Sequence, residues 1–412
     1  MTERFCNLDR LLHLMDSRGV DAVLAASPNN VYWLSGFNGP AHKSDEPRPL
    51  AVLLAREAPE EPVMVLPDFY LGSLAAQPGW IEDIRPFRAI LLPFDQPPRG
   101  KADLDRFVDP QDRPNWFPAA ADRYAPDMVA ALERAVADLG LAGKRVAADE
   151  PRLAARLANV DVEDGYGLLM SARSIKTPAE VDLMRAATAV NRAAIEESIG
   201  AWTPGMTWRE LRAAYHAAAL ARGGFVHDPG AMVLANGSDS PVPVITSEAG
   251  DYELEAGMRI MFDCHGTKDR YCWDGGKTWI VGSEGADAAR KLAGATADAM
   301  AEIEALMVPG ARVSALQAAG RAVYRKHGLS LAEDALIFFH GLGLSHLDQE
   351  VDAEGAVTGD FAVQAGMAIA THIYYPGDRR ERMWLEDIAI VGDSGPAESI
   401  FGWDFLPHGL GA

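Results

Sequence analysis

The sequence predicts two domains, an α/β domain over residues 1–170 and an α+β domain over residues 174–412. Short buried strands alternate with amphipathic helices in the first half, which is the pattern of a sheet covered by helices. Near Ser174 the character changes, and Thr177-Pro178-Ala179-Glu180 signals a helix start with a Thr cap, Pro at the first position and Glu at the third. The second half then runs helix pair, strands, helix pair, strands. A chain of 412 residues is also long enough to bury more than one core.

The elements follow in order. Residues 8–18 form a short helix with Leu8, Leu11, Leu12 and Met15 on one face. Residues 22–26 are a continuous apolar strand, and Ser27-Pro28-Asn29-Asn30 reads as the turn that closes it. Residues 50–54 and 63–66 are further strands, 126–139 a helix and 145–148 a strand. Residues 93–123 are rich in Pro, Asp and Arg and show no period. A loop this long reads either as a substrate lid or as a surface insertion that packs its own Trp116 and Phe117. In the second half the Thr177 cap starts a helix reaching Ile199, and Thr207 caps a helix over 208–222 that ends at Gly223-Gly224. Helices over 286–307 and 313–327 form the second pair. Pro309-Gly310 separates them as Pro204-Gly205 separates the first pair, which suggests an internal repeat.

Composition narrows the class. With 38 basic and 59 acidic residues the net charge is −21, which favours solubility and disfavours nucleic acid or an anionic membrane as a partner. No apolar run reaches the roughly eighteen residues of a membrane span. Met1-Thr2-Glu3-Arg4 leads into a polar amphipathic stretch, not an apolar signal region. Cys6, Cys264 and Cys272 are too few for a disulfide scaffold and suit a reducing compartment. A cytoplasmic location is the expectation.

Two apolar hairpins carry carboxylates. In residues 257–282 a turn centred between Lys268 and Asp269 places Asp263 directly opposite Asp274. Opposed carboxylates on a half-buried ribbon repel each other. They persist together with a cation between them or a proton on one of them, and a divalent metal is the simpler choice. The competing reading is a register slip that turns both to solvent. His265 with Cys264 and Cys272 matches no thiolate zinc spacing, and the thiols read as small core residues. In residues 366–392 a turn centred at Arg379 places His372 opposite Glu386 inside otherwise apolar strands. A buried Glu needs a partner, and a histidine or a metal would serve. Between the hairpins His340 follows an apolar run and precedes Gly341-Leu342-Gly343, with His346 close behind. Such a histidine packs in a core or binds a ligand, and the two carboxylate hairpins in the same half favour the ligand.

The order Asp263, Asp274, His340-Gly341-Leu342-Gly343 and Leu385-Glu386-Asp387 resembles the pita-bread metallopeptidase family of Xaa-Pro dipeptidases, aminopeptidase P, methionine aminopeptidase and the non-peptidase creatinase. Arg18-Gly19-Val20-Asp21-Ala22 and residues 30–37 are similar to the creatinase-type N-terminal domain, and Arg173-x-x-Lys176-Thr177-x-x-Glu180 to the join that follows it. The resemblance implies a creatinase-like α/β domain on an α+β pita-bread catalytic domain. It implies one or two divalent ions (Mn, Fe, Zn or Co) on Asp263, Asp274, His340, His372 and Glu386, with Asp274 and Glu386 bridging. Such metals would lower the pKa of a shared water to make a hydroxide nucleophile. The implied activity is metal-dependent hydrolysis of a C–N bond in a small amide or short peptide, with His372, His346 and Glu386 as catalytic groups. The implied assembly is a homodimer with the N-terminal domain of one subunit near the other's site. Asn30, Tyr32, Trp33 and the 93–123 loop would then line the entrance or pack their own domain.

Three departures from the family pattern shape the expectation. His372 stands where the peptidases carry a Glu that is both ligand and general base. Imidazole can ligate or move protons, but it brings no negative charge. Val244, at the end of Asn236-Gly237-Ser238-Asp239-Ser240-Pro241-Val242-Pro243-Val244, stands where a substrate-contacting His is usual. A third family His would fall on Leu347. His346 is one residue short of it and serves as proton donor or oxyanion stabiliser in its place. Creatinase drops the metal carboxylates, whereas this chain keeps them. Two alternatives remain: a lyase on the same metal site, resembling the branch that acts on dimethylsulfoniopropionate, and a non-catalytic binding member.

Overall fold

The apolar runs of the first half become the strands of one sheet: β1 (Ala22–Ala25), β2 (Ala51–Ala55), β3 (Val63–Pro67), β4 (Asp83–Phe87), β5 (Arg145–Ala148) and β6 (Asp161–Asp164). The computed structural model describes residues 4–39, 50–93, 95–233, 251–282, 286–351, 356–378, 380–403 and 409–410. It divides into two compact units, residues 1–173 with 350–356 and residues 174–349 with 357–412. In the first unit the strand order is β4-β3-β2-β1-β5-β6. β1 runs antiparallel to β2 and parallel to β5. β1, β2 and β3 are buried along their whole length, so they read as unbroken apolar runs. β4 and β6 have no such run in the sequence. They are the edge strands and carry Asp83 and Arg85, and Asp161, Glu163 and Asp164.

Two expectations are corrected in this unit. Ser27 to Asn30 does not form a closing turn. Ser27 is the N-cap and Pro28 the first residue of helix Pro28–Ser35, because a Ser-Pro pair starts helices as readily as it starts turns. The Asp149 carboxylate accepts hydrogen bonds from the Ser27 hydroxyl (2.6 Å), the Ala26 amide (2.7 Å) and Asn30 Nδ2 (2.7 Å). Arg173 donates to Asn30 Oδ1. Asn30, Tyr32 and Trp33 are buried. The stretch from 93 to 123 is not irregular either, for it holds helices Lys101–Leu104 and Phe117–Asp122. Helices of four and six residues are too short to show a period. Phe117 is buried, with the Arg113 guanidinium 4.9 Å above its ring.

The second unit holds β7 (Phe225–Val233), β8 (Arg259–Lys268), β9 (Tyr271–Trp273), β10 (Thr278–Val281), β11 (Leu336–Gly341), β12 (Ala368–Tyr375), β13 (Met383–Ile390), β14 (Glu398–Ser399) and β15 (Gly409–Leu410). One sheet has the order β15-β10-β8-β7 with β9 on β8, and the other has the order β11-β12-β13-β14. Helices Pro178–Gly200 and Trp208–Ala221 each start with a complete capping box, Thr177 with Glu180 and Thr207 with Glu210. Helices Ala286–Leu306 and Val313–Lys326 pack Met300, Ile303, Leu316 and Tyr324 against Ile337, Ile369, Ile373 and Leu385 of the second sheet. The pleat then turns the alternate residues, among them His340, His372 and Glu386, to the sheet's other face. The two sheets join where the Glu386 amide donates to the Gly276 carbonyl (2.8 Å) and Thr278 Oγ1 to the Trp384 carbonyl (3.0 Å). Among the described residues no helix is long and apolar enough to cross a membrane.

Candidate metal centre

The first hairpin sets the centre. β8 and β9 meet at a two-residue turn, Asp269-Arg270, with both residues at positive φ (48° and 69°). Lys268 therefore pairs with Tyr271, and Gly266 with Trp273. The turn centre lies one position beyond the expected one, and the pairing is shifted by two residues. Continuing that register brings His265, not Asp263, opposite Asp274. A shift of two leaves every side chain on its face, because the strand period is two. Asp263, His265 and Asp274 thus share one face, and Cys264 points to the other. The three cysteines are thiols outside any disulfide, and all are buried.

Close backbone approach brings Glu386 to the same place. Gly275 holds φ at 105°, and a Cβ there would sit 3.1 Å from Glu386 Cγ. In β12 and β13 the register pairs His372 with Glu386, as expected from sequence. Phe338 of β11 pairs with His372, and His340 with Ala370. The loop carrying His346 is held by Asp348, whose carboxylate accepts from the Leu344 amide (2.8 Å), and by the Cys272 amide, which donates to the Gly343 carbonyl (2.7 Å). The turn centre at Arg379 and the segment ending in Val244 lie outside the described residues. Leu347 is exposed.

Among the described residues seven side chains converge. Asp274 is the hub and is fully buried: His265 Nε2 lies 3.2 Å from its Oδ1, and His340 Nε2 and His346 Nδ1 each lie 3.3 Å from its Oδ2. His265 Nε2 is also 2.7 Å from Asp263 Oδ1, and His372 Nε2 is 2.8 Å from Glu386 Oε1. The imidazoles touch one another. His265 stacks on His346 with centroids 4.6 Å apart, and His340 lies 5.0 Å from His372. Phe338 stacks on the outer side of His372 at 4.2 Å.

The charges are strongly perturbed. Burial pushes Asp263 up, against the pull of His265. Burial also opposes ionisation of Asp274, but the imidazoles around it, His265 foremost, hold its carboxyl well below the usual range. Burial, then Asp274 and Asp263, drives Glu386 well above its ordinary value. His265 is pushed up to about 9: burial lowers it, and Asp274 and Asp263 more than reverse that. Burial, then His340, holds His372 well below its ordinary value. Both oxygens of Asp274, both of Glu386, His340 Nε2 and His372 Nδ1 are buried without a hydrogen bond of good geometry. Unsatisfied buried acceptors facing unsatisfied imidazole nitrogens are what a ligand set presents to a cation. Among the described residues three overlapping groups bring their donor atoms within 4.8 Å of one another: Asp263, Asp274 and Glu386; Asp274, His340 and His372; and His265, Asp274 and His346. The residues fit a divalent cation of mixed oxygen and nitrogen preference.

The five residues expected as ligands, Asp263, Asp274, His340, His372 and Glu386, thus lie together, with His346 beside them. Sequence reasoning weighed His265 only with Cys264 and Cys272, as a thiolate zinc site, and set it aside. Its signal is simple: it lies two positions from Asp263 and therefore on the same face.

Residues 182–393 match the description "Metallopeptidase family M24", and residues 7–175 match "Creatinase/Prolidase N-terminal domain". No curated protein matches the chain in sequence. Among solved structures the chain is similar to a dipeptidase from Mycobacterium ulcerans at 20% identity and TM-score 0.65, with 98% of this chain and 96% of that one covered. It is similar to the prolidase from Pyrococcus horikoshii at 16% identity and TM-score 0.65, with 96% and 98% covered. It is similar to an X-Pro aminopeptidase from Thermotoga maritima at 16% identity and TM-score 0.63, with 98% and 99% covered. At these identities the likeness is one of fold.

Proposed function

The chain belongs to metallopeptidase family M24, and from that premise we propose that it is a metal-dependent hydrolase cleaving a C–N bond, peptide or amide, of a small substrate. The observation that carries the reading is the set of buried, unsatisfied oxygens on Asp274 and Glu386 facing His340 and His372. Asp263, Asp274, His340, His372 and Glu386 would hold the cation. Bound there, a divalent ion supplies a Lewis acid that polarises a carbonyl and acidifies water.

The chain's own residues do the rest. His372 and Glu386 share a 2.8 Å contact, and burial favours the protonated carboxyl on Glu386 and the neutral imidazole on His372. With a divalent ion bound, Glu386 would ligate as the carboxylate and the pair would give up that proton on loading. Phe338, stacked on His372, screens the imidazole from solvent on one side. His372 replaces a carboxylate of the family pattern, so the site has one negative charge fewer for a given ligand count. This same replacement favours a second reading, elimination at a C–S or C–N bond with His372 as the base.

Turnover in oxygen-18 water separates the readings. Xaa-Pro dipeptides and small acyl amides are incubated with the protein, and products are weighed by mass spectrometry. Hydrolysis places the label in the acid product, stops on chelation and returns with metal. An unsaturated product without label supports elimination. No turnover of any substrate, with metal bound, contradicts both and leaves a binding protein.

A further inference from the structure

Among the described residues four imidazoles surround Asp274, and two of them stand apart from the ligand set just named. His265 approaches Asp274 Oδ1, whereas His340 approaches Oδ2. His346 stacks on His265 with the rings 18° from parallel and keeps Nδ1 3.3 Å from Asp274 Oδ2. The donor atoms of His265, Asp274 and His346 lie within 4.8 Å of one another. One ring is nearly buried and the other half exposed, so this group lies between the buried centre and solvent.

We propose that His265, Asp274 and His346 form a second cation position, distinct from the one built on His340 and His372, with the Asp274 carboxylate common to both. Two nitrogens and one oxygen suit a borderline cation of the zinc or cobalt type better than magnesium or calcium. The open side toward His346 leaves coordination positions for water or substrate. The assignment gives His346 a ligand's role in place of the proton-donor role expected from sequence. It also explains why His265 lies between two carboxylates on the hairpin face that faces the centre. The proposal rests on the reading of this cluster as a metal centre.

Equilibrium dialysis of the metal-stripped chain against zinc, with ions counted by elemental analysis and imidazole ligands by zinc X-ray absorption, tests it. The wild type is expected to bind two zinc ions per chain, and His265→Ala one, with a lower average imidazole count. His265→Asn, which keeps a polar side chain of similar reach, is expected to match the alanine variant if folding is intact by circular dichroism. Equal stoichiometry and equal imidazole count in wild type and both variants would overturn the proposal and leave His265 as a counter-ion to the two aspartates. One zinc in the wild type, unchanged in the variants, would overturn it while leaving the metallohydrolase reading in place. No zinc in the wild type would remove both.

Discussion

Asp274 can stay ionised in a fully buried position only because positive or cation-holding partners surround it on both oxygens. Its neighbour Glu386 is pushed the other way, toward the protonated form. Ligation by Glu386 must displace that proton, so metal uptake is expected to release protons and to weaken as pH falls. Calorimetry in buffers of different ionisation enthalpy measures the proton count, and a binding enthalpy independent of buffer would contradict it. His372→Ala is expected to lower kcat by about 10²–10⁴-fold, the worth of a positioned acid–base group. Circular dichroism on the same preparation checks that the fold persists. His372, Glu386, His340 and Asp274 were all legible as site candidates, because a titratable group inside an apolar strand stands out. His265 is set aside with its neighbouring thiols, since it sits among Cys264, Gly266 and Thr267 near a polar turn and breaks no apolar run.

The hairpins show where sequence reading succeeds and where it slips. The second has His372 and Glu386 paired as the pattern demands, because eight-residue apolar strands flank its turn. The first slips by two residues because its turn residues, Asp269 and Arg270, carry no Asn-Gly or Asp-Gly signal. Arg270 at positive φ is uncommon for a bulky residue. Face is preserved and the partner is not, which is why the carboxylates were found and the opposed histidine was missed. At Gly276 a Cβ would sit 2.5 Å from the Phe262 carbonyl oxygen. Gly276→Ala is therefore expected to cost about 1–3 kcal/mol, the range for forced overpacking. It is also expected to loosen metal binding by moving Asp274, and urea unfolding with parallel zinc titration reads both.

At the scale of the molecule the two-domain class followed from strand–helix alternation and from one capping box, signals that depend on local physics alone. Edge strands and short helices were hidden because charged edges and single turns leave no period. Behind the centre, on the helix-packed face of β13, Asp387 meets Glu304 of helix Ala286–Leu306. Burial, then Asp387, pushes the Glu304 carboxyl up to about 9. A carboxyl whose folded pKa lies above its unfolded value binds more protons when folded. Its stabilisation is complete below the unfolded value near 4.5 and is lost as pH rises toward about 9. Stability is thus expected to fall across that window, and Glu304→Gln to flatten the fall. Urea midpoints at several pH values, wild type against variant, decide it.

The most direct test is the metal content of protein purified without chelator, wild type beside Asp274→Ala. At least one divalent ion per chain in the wild type, and none in the variant, is the expected result. A wild type that carries no metal, even after reconstitution with zinc, manganese, iron and cobalt, would contradict the metal-dependent reading.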